Sequence, residues 1–384
     1  MKHQQMTASD HHHLMDRYVL RGEQRASRLG NRGPIKFDSA GRLAPEIIDA
    51  YASHGFYVFE NLVDAEEINL LRTDYAEILE RAPVDNTSEL DRQGRRAMGM
   101  ELARRPYSLI RPLSDPWGGT AHLNGRHPVK MSEPSASADA PARVPFLISS
   151  MCQMSEAGFR LYGHPQILAI AQAINGEDFV PYNDAAFVKL PGLGGSVSWH
   201  QDGVTHWSSP NWDQDIHGFN FQVQLYECTA HNGLWVLPGT HKLGRIDIRK
   251  RISENAGSEQ LEGAVPLMCQ PGDVTIANRQ ILHCSFANTS DQLRISLTFG
   301  FHQRRSVLGA KGTLSESSQE VYDEKRIFER AALIQLATEV RSNFYPQETR
   351  FRYKPFMGLE DAYRDVPEVR DSVLKDYTLK DLSI

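Results

Sequence analysis

The segment from residue 178 to about 303 limits the fold more than any other part of the chain. It consists of short alternating runs broken by Pro-Gly, Asn-Gly and Gly-Asp pairs. In FNFQVQLYE, Phe219, Phe221, Val223 and Leu225 fall on one side, and Asn220, Gln222, Gln224 and Tyr226 on the other. Side chains of a strand alternate between faces, so this run predicts a strand with one apolar face. DVTIAN and RISLTFGF predict two more strands. Several short strands with turns between them predict a sandwich or barrel, and a jelly roll is one such solution.

The flanks read differently. Residues 1–40 are polar and hold no sustained period, so they are read as an N-terminal arm. The cluster His11–His12–His13 could take up a stray metal, but its place in this stretch suggests a disordered tail. APEIIDAYASHG predicts a helix stopped by Gly55, FYVFENL a strand, and VDAEEINLLRTDYAEILERA a second helix with Asp64 as N-cap. FLISSMCQMSEAGFRL and HPQILAIAQAING both read as helical, the latter closed by Gly176. Residues 105–145 are rich in Pro, Gly, Ser and Ala. They form an insertion that is either disordered or a functional covering loop. Beyond residue 304 the helical pattern returns, notably in EKRIFERAALIQLATEVRSNF.

Bulk properties narrow the partners. The 384 residues suit one elaborated β domain with helical additions, and no run of 18 apolar residues appears. The opening MKHQQMTASDHHHLMDR lacks the basic-then-apolar order of a secretory signal, which makes the cytoplasm the expected location. A net charge of −6 with dispersed basic residues argues against nucleic acid as partner. Monomer and homo-oligomer stay equally open. Cys152, Cys228, Cys269 and Cys284 have no CxxC spacing and are expected as buried reduced thiols.

The chemistry lies in VSWHQDG. His200 and Asp202 stand two residues apart, so on a strand both point to the same side and can reach one ion. His283, in ILHCSF, is the best third ligand; His206, His217, His231, His241 and His302 are competitors. Two histidines and one carboxylate leave open coordination positions, which suits non-haem iron(II) enzymes that bind a co-substrate and O2. His-x-Asp alone is a weak signal. It gains from Arg294, eleven residues after His283 at the start of a strand, with Ser296 on the same face. Arginine offers a planar fork matched to a carboxylate, though a structural salt bridge would also explain it.

The runs KLPGLGGSVSWHQDG, HNGLWVLPGTHKLG and PGDVTIANRQILHCSFANTSDQLRISLTF resemble the phytanoyl-CoA dioxygenase-like family. The likeness spans about residues 40–85 and 150–303. It implies a double-stranded β-helix (jelly roll, cupin-like) core flanked by N- and C-terminal helices. The oxygenase domain would then run over residues 41–303, with residues 304–384 a helical extension packed on it. It also implies Fe(II), 2-oxoglutarate and O2, with His200, Asp202 and His283 holding iron and Arg294 the distal carboxylate of 2-oxoglutarate. Ser285 and Gln222 match positions that face the co-substrate in relatives, and Ser296 lies beside Arg294. His241 belongs to a Pro-Gly-x-His turn and is read as structural.

The implied reaction is oxidation, foremost hydroxylation, of a small or medium organic metabolite, with release of succinate and CO2. Related halogenases replace the carboxylate ligand, and this chain keeps Asp202. Desaturation or another oxidative rearrangement on the same scaffold is the first alternative; a non-oxygenase, cupin-like metal binder is the second. The loop GVTHWSSPNWDQDIHG is the expected substrate wall, with Trp207 the matching aromatic and His206 and Trp212 weaker candidates.

Overall fold

The computed structural model describes residues 6–202, 218–310 and 321–379. Among these, twelve strands form two sheets. In chain order they are β1 (Arg32–Gly33), β2 (Phe56–Phe59), β3 (Tyr107–Ile110), β4 (Val144–Ser149), β5 (Val180–Lys189), β6 (Val197–His200), β7 (Gly218–Gln224), β8 (Trp235–Leu237), β9 (Val265–Pro266), β10 (Val274–Asn278), β11 (Leu282–Ser285) and β12 (Arg294–His302). The major sheet runs β1-β2-β10-β7-β12-β5-β4-β3, and the minor sheet β6-β11-β8-β9. The non-consecutive strand order is that of a double-stranded β-helix, as the family likeness implies.

Helices cover the outer faces. They are α1 (Ala8–Leu29), α2 (Pro45–His54), α3 (Ala65–Glu80), α4 (Met151–Met154), α5 (Glu156–Leu161), α6 (Pro165–Asn175), α7 (Ile248–Glu254), α8 (Arg304–Val307), α9 (Glu324–Phe344) and α10 (Pro367–Leu374).

The alternation in β7 sorts the two faces of the major sheet. Phe219, Phe221 and Val223, with Ile295, Leu297, Phe299 and Phe301 of β12, join the apolar core shared with α2, α3, α5, α6 and α9. Gln222, Gln224, Arg294 and Ser296 point the other way, towards the minor sheet, and are also buried. The polar row is therefore interior, and it lines the space where a polar ligand would sit. Burying it without partners would cost several kcal/mol, on the order of 1–3 for each group left unsatisfied. The row is accordingly cross-bonded, as in Ser296 Oγ to Gln224 Oε1 at 2.5 Å.

Local signals at the helix ends hold. Gly55 ends α2 at φ 83°, a left-handed conformation that glycine adopts without a Cβ penalty. The Asp64 carboxylate accepts from Glu67 N at 2.8 Å. All four cysteines are free and buried.

Two readings change. Residues 8–29, expected as an irregular arm, form a 22-residue helix that starts at a capping box between Thr7 and Asp10. Its Met15, Tyr18 and Val19 pack on Trp199, Trp235 and Phe286 of the minor sheet and its flank. The helical period is narrow because Gly22 replaces an apolar residue: a Cβ there would lie 2.4 Å from the Trp235 ring. Second, residues 146–149, expected as the start of a helix, belong to β4, which is alternately buried and half-buried and paired with β5. Tertiary pairing overrides an apolar run whose period alone is ambiguous. Residues 105–145, read as either disordered or a covering loop, supply β3, and their Arg126 and His127 reach Asp202 and Ser198.

The C-terminal α9 is held to the rest of the fold by a buried fork. Arg341 Nη1 and Nη2 lie 2.6 and 3.0 Å from the two Glu67 oxygens on α3. Removing one partner strands a buried charge. Arg341→Met is expected to lower stability by about 3–5 kcal/mol in chemical denaturation, and a loss under about 1 kcal/mol would show that the pair is dispensable.

Candidate metal centre

The site is set by strand pairing. β6 and β11 are antiparallel neighbours whose register places His200 opposite His283. Their rings lie 4.0 Å apart between centroids. Asp202 follows β6 by two residues, with Oδ1 3.7 Å from His200 Nε2 and Oδ2 3.9 Å from His283 Nε2. One ligand atom from each of the three lies within 4.8 Å of the others, and all three residues are buried.

The hydrogen bonds orient these donors for a metal. His200 Nδ1 is 2.8 Å from Ser198 O, and His283 Nδ1 2.8 Å from Ile281 O. A carbonyl only accepts, so each Nδ1 carries the proton and each Nε2 presents a lone pair to the centre. Burial, reinforced by His283 and His127, pulls the His200 imidazole well below its ordinary range, and burial lowers His283 too. Burial pushes the Asp202 carboxyl upward, but Arg126 and then the two histidines override it, holding it well below the usual carboxylate range. Neutral rings beside an ionised acid form the donor set that a divalent iron ion takes.

Reasoning from sequence missed the groups that grip Asp202. Arg126 Nη1 reaches Oδ1 at 2.7 Å, and Asn220 Nδ2 reaches Oδ2 at 2.9 Å. Tyr182 Oη in turn bonds Asn220 Oδ1. His127 packs its ring on His200 at 4.2 Å, with its imidazole lowered to about 3 by burial and by Arg126. Asn220 was visible as a member of the polar face of β7. Arg126 and His127 had no period or spacing to mark them.

Arg294 presents a different chemistry. It is 2% exposed. Its Nη1 is 3.3 Å from Asn232 O and its Nη2 3.4 Å from Gln222 Oε1, and its Nε has no partner. Among the described residues no carboxylate pairs with it, so no structural salt bridge is found there. Its register partner on β5 is Lys189, a buried amine that burial and then Arg294 push well below the usual lysine range and whose Nζ is hydrogen-bonded to Phe286 O. Gln222 thus stands beside Arg294, whereas Ser296 is engaged by Gln224. Ser285 is buried on β11, two residues beyond His283.

The competitors fall elsewhere. His241 Nε2 bonds Ala52 O at 3.1 Å, and His302 Nε2 lies 2.9 Å from Arg279 Nη1. His206, Trp207, Trp212 and His217 lie outside the described residues.

Fold and site together define a double-stranded β-helix protein with a candidate two-histidine, one-carboxylate iron centre. The phytanoyl-CoA dioxygenase (PhyH) family model matches residues 51–296, and the chain belongs to that family. It is 31% identical over 117 residues to phytanoyl-CoA dioxygenase 1 of Oryza sativa subsp. japonica, covering 29% of this chain and 40% of that protein. It is 31% identical over 144 residues to the dioxygenase lolE1 of Epichloe uncinata, covering 36% and 52%. The matches thus span about half the length of these curated relatives or less. The crystal structure of EctD from S. alaskensis with 2-oxoglutarate and 5-hydroxyectoine shares the fold, with a TM-score of 0.50 at 17% identity over 74% of this chain and 85% of that one.

Two outcomes are expected from metal titration. Because neither ligand ring holds a proton to be displaced, Co(II) affinity should stay nearly flat through neutral pH; a steep rise with pH would show that the histidines are protonated. Asn220→Ala, which frees one Asp202 oxygen, should weaken Co(II) binding by about 10–100-fold, read from the visible absorption of the bound ion.

Proposed function

We propose that this chain is an Fe(II)- and 2-oxoglutarate-dependent oxygenase that acts on a small or medium organic metabolite, with hydroxylation as the foremost outcome. The observation that carries the reading is Arg294, a buried guanidinium with no carboxylate partner among the described residues. A protein that only binds metal has no use for such a cation. An uncompensated buried charge is costly, and a dianionic co-substrate would neutralise it. The second anchor that 2-oxoglutarate needs is the metal itself, and His200, Asp202 and His283 would hold that ion.

Bound iron and 2-oxoglutarate would supply the oxygen chemistry, in which substrate, 2-oxoglutarate and O2 give oxidised substrate, succinate and CO2. The protein's residues do the rest. Arg294 and Gln222 orient the distal carboxylate. Ser198 O and Ile281 O fix the tautomers of the two ligand histidines. Arg126 and Asn220 keep Asp202 ionised and in place. His127 lies against His200 and excludes water from that side of the centre. Retention of Asp202 leaves no vacated position for a halide, which supports oxidation over halogenation. Trp207, His206 and Trp212, in residues 203–217, are proposed as the remaining substrate wall.

The test needs no substrate. Anaerobic addition of Fe(II) and 2-oxoglutarate should give a weak metal-to-ligand charge-transfer band in the visible. Arg294→Ala should cost about 2–5 kcal/mol of 2-oxoglutarate binding, a loss of at least roughly thirtyfold. No band, together with an unaltered Arg294→Ala variant, would leave a metal-binding cupin as the answer. Once a succinate-release screen finds a substrate, a product heavier by one oxygen marks hydroxylation, and one lighter by two hydrogens marks desaturation.

A further inference from the structure

The histidine-rich start of the chain, expected as a tail, is built into the fold. His12 and Asp16 stand one turn apart on α1, on a helix face turned to the turn between β7 and β8. That turn carries His231. The His12 and His231 rings are stacked, 4.1 Å between centroids and within 9° of parallel. One ligand atom from each of His12, Asp16 and His231 lies within 4.8 Å of the others, with both rings half-buried and the carboxylate exposed.

We propose that His12, Asp16 and His231 form a second divalent-metal site of the zinc class, separate from the centre at His200. Two imidazoles with an exposed carboxylate beside them give two nitrogen ligands and one oxygen ligand. Water completes the four-coordinate sphere zinc prefers.

Both supports are rigid before any metal arrives. The Tyr18 ring stacks on Trp235 at 4.5 Å, and its hydroxyl donates to Leu261 O at 2.9 Å. Arg25 Nη2 donates to Ala264 O at 2.7 Å, about two turns beyond Tyr18 on α1. The turn is braced by Thr229 N donating to Asn232 Oδ1 at 2.9 Å and by His231 N donating to Thr229 Oγ1 at 3.3 Å. Little ordering entropy is left for the metal to offset, and closing the ligands to bonding distance requires only side-chain rotation.

The site joins the helix to a functional turn. Asn232, next to His231, offers its carbonyl to Arg294 Nη1. An ion at His231 therefore ties α1 to the residue that helps seat Arg294.

The full-length chain, stripped by a chelator, should be titrated anaerobically with Zn(II) by calorimetry. His231→Ala and Asp16→Asn should each remove one equivalent that His200→Ala spares. Asp16 is on the surface, so its variant tests the site without threatening the fold. Zn(II) should also raise the melting temperature of His200→Ala but not of His200→Ala/His231→Ala. Stoichiometry unchanged in both His231→Ala and Asp16→Asn would overturn the second site. Retention of both equivalents in His200→Ala, with one still lost in His231→Ala and Asp16→Asn, would tell against the centre at His200 instead, which keeps the two ideas separable.

Discussion

The antiparallel pairing of β6 with β11 is the constraint on which the rest of the site depends. Its register sets His200 directly across from His283, and the chain continues from β6 by two residues to Asp202. A slip of one residue would turn both imidazoles to the opposite face, where α1 and Trp235 pack. The apolar outer face of the minor sheet and the polar inner face of the major sheet therefore do more than stabilise the fold. They exclude the registers in which no metal could bind.

The same division of faces explains how the interior stays polar at tolerable cost. Each inward group has a neighbour: Ser296 with Gln224, Gln222 with Arg294, Asn220 with Asp202 and Tyr182. Arg294 differs in charge, since its hydrogen-bond partners among the described residues, Asn232 O and Gln222 Oε1, are both neutral.

Much of this was legible in the sequence, for physical reasons. Strand alternation is a strict two-residue period, so the face of Asn220, Gln222 and Gln224 could be read directly. Gly55 and Asp64 are legible because helix ends impose local backbone and capping chemistry. The triad and Arg294 were legible through spacing, and their grouping and burial are now visible in the structure. The helix at residues 8–29 was not, because its apolar stripe is interrupted by Gly22, which lies against the Trp235 ring. Nor was β4, whose strand state comes from pairing with β5. Arg126 and His127 come from a segment with no period, and only the folded chain brings Arg126 to Asp202, 76 positions along the sequence, and His127 to His200.

The two-sided grip on Asp202 limits how such a protein can change. Asn220 belongs to the β framework, but Arg126 belongs to the covering segment that walls the centre. A remodelled cover, through insertion, deletion or exchange with a relative's, would at once alter the charge felt by Asp202. A lineage that rebuilds this cover must therefore retune the acid of the candidate metal centre in the same step.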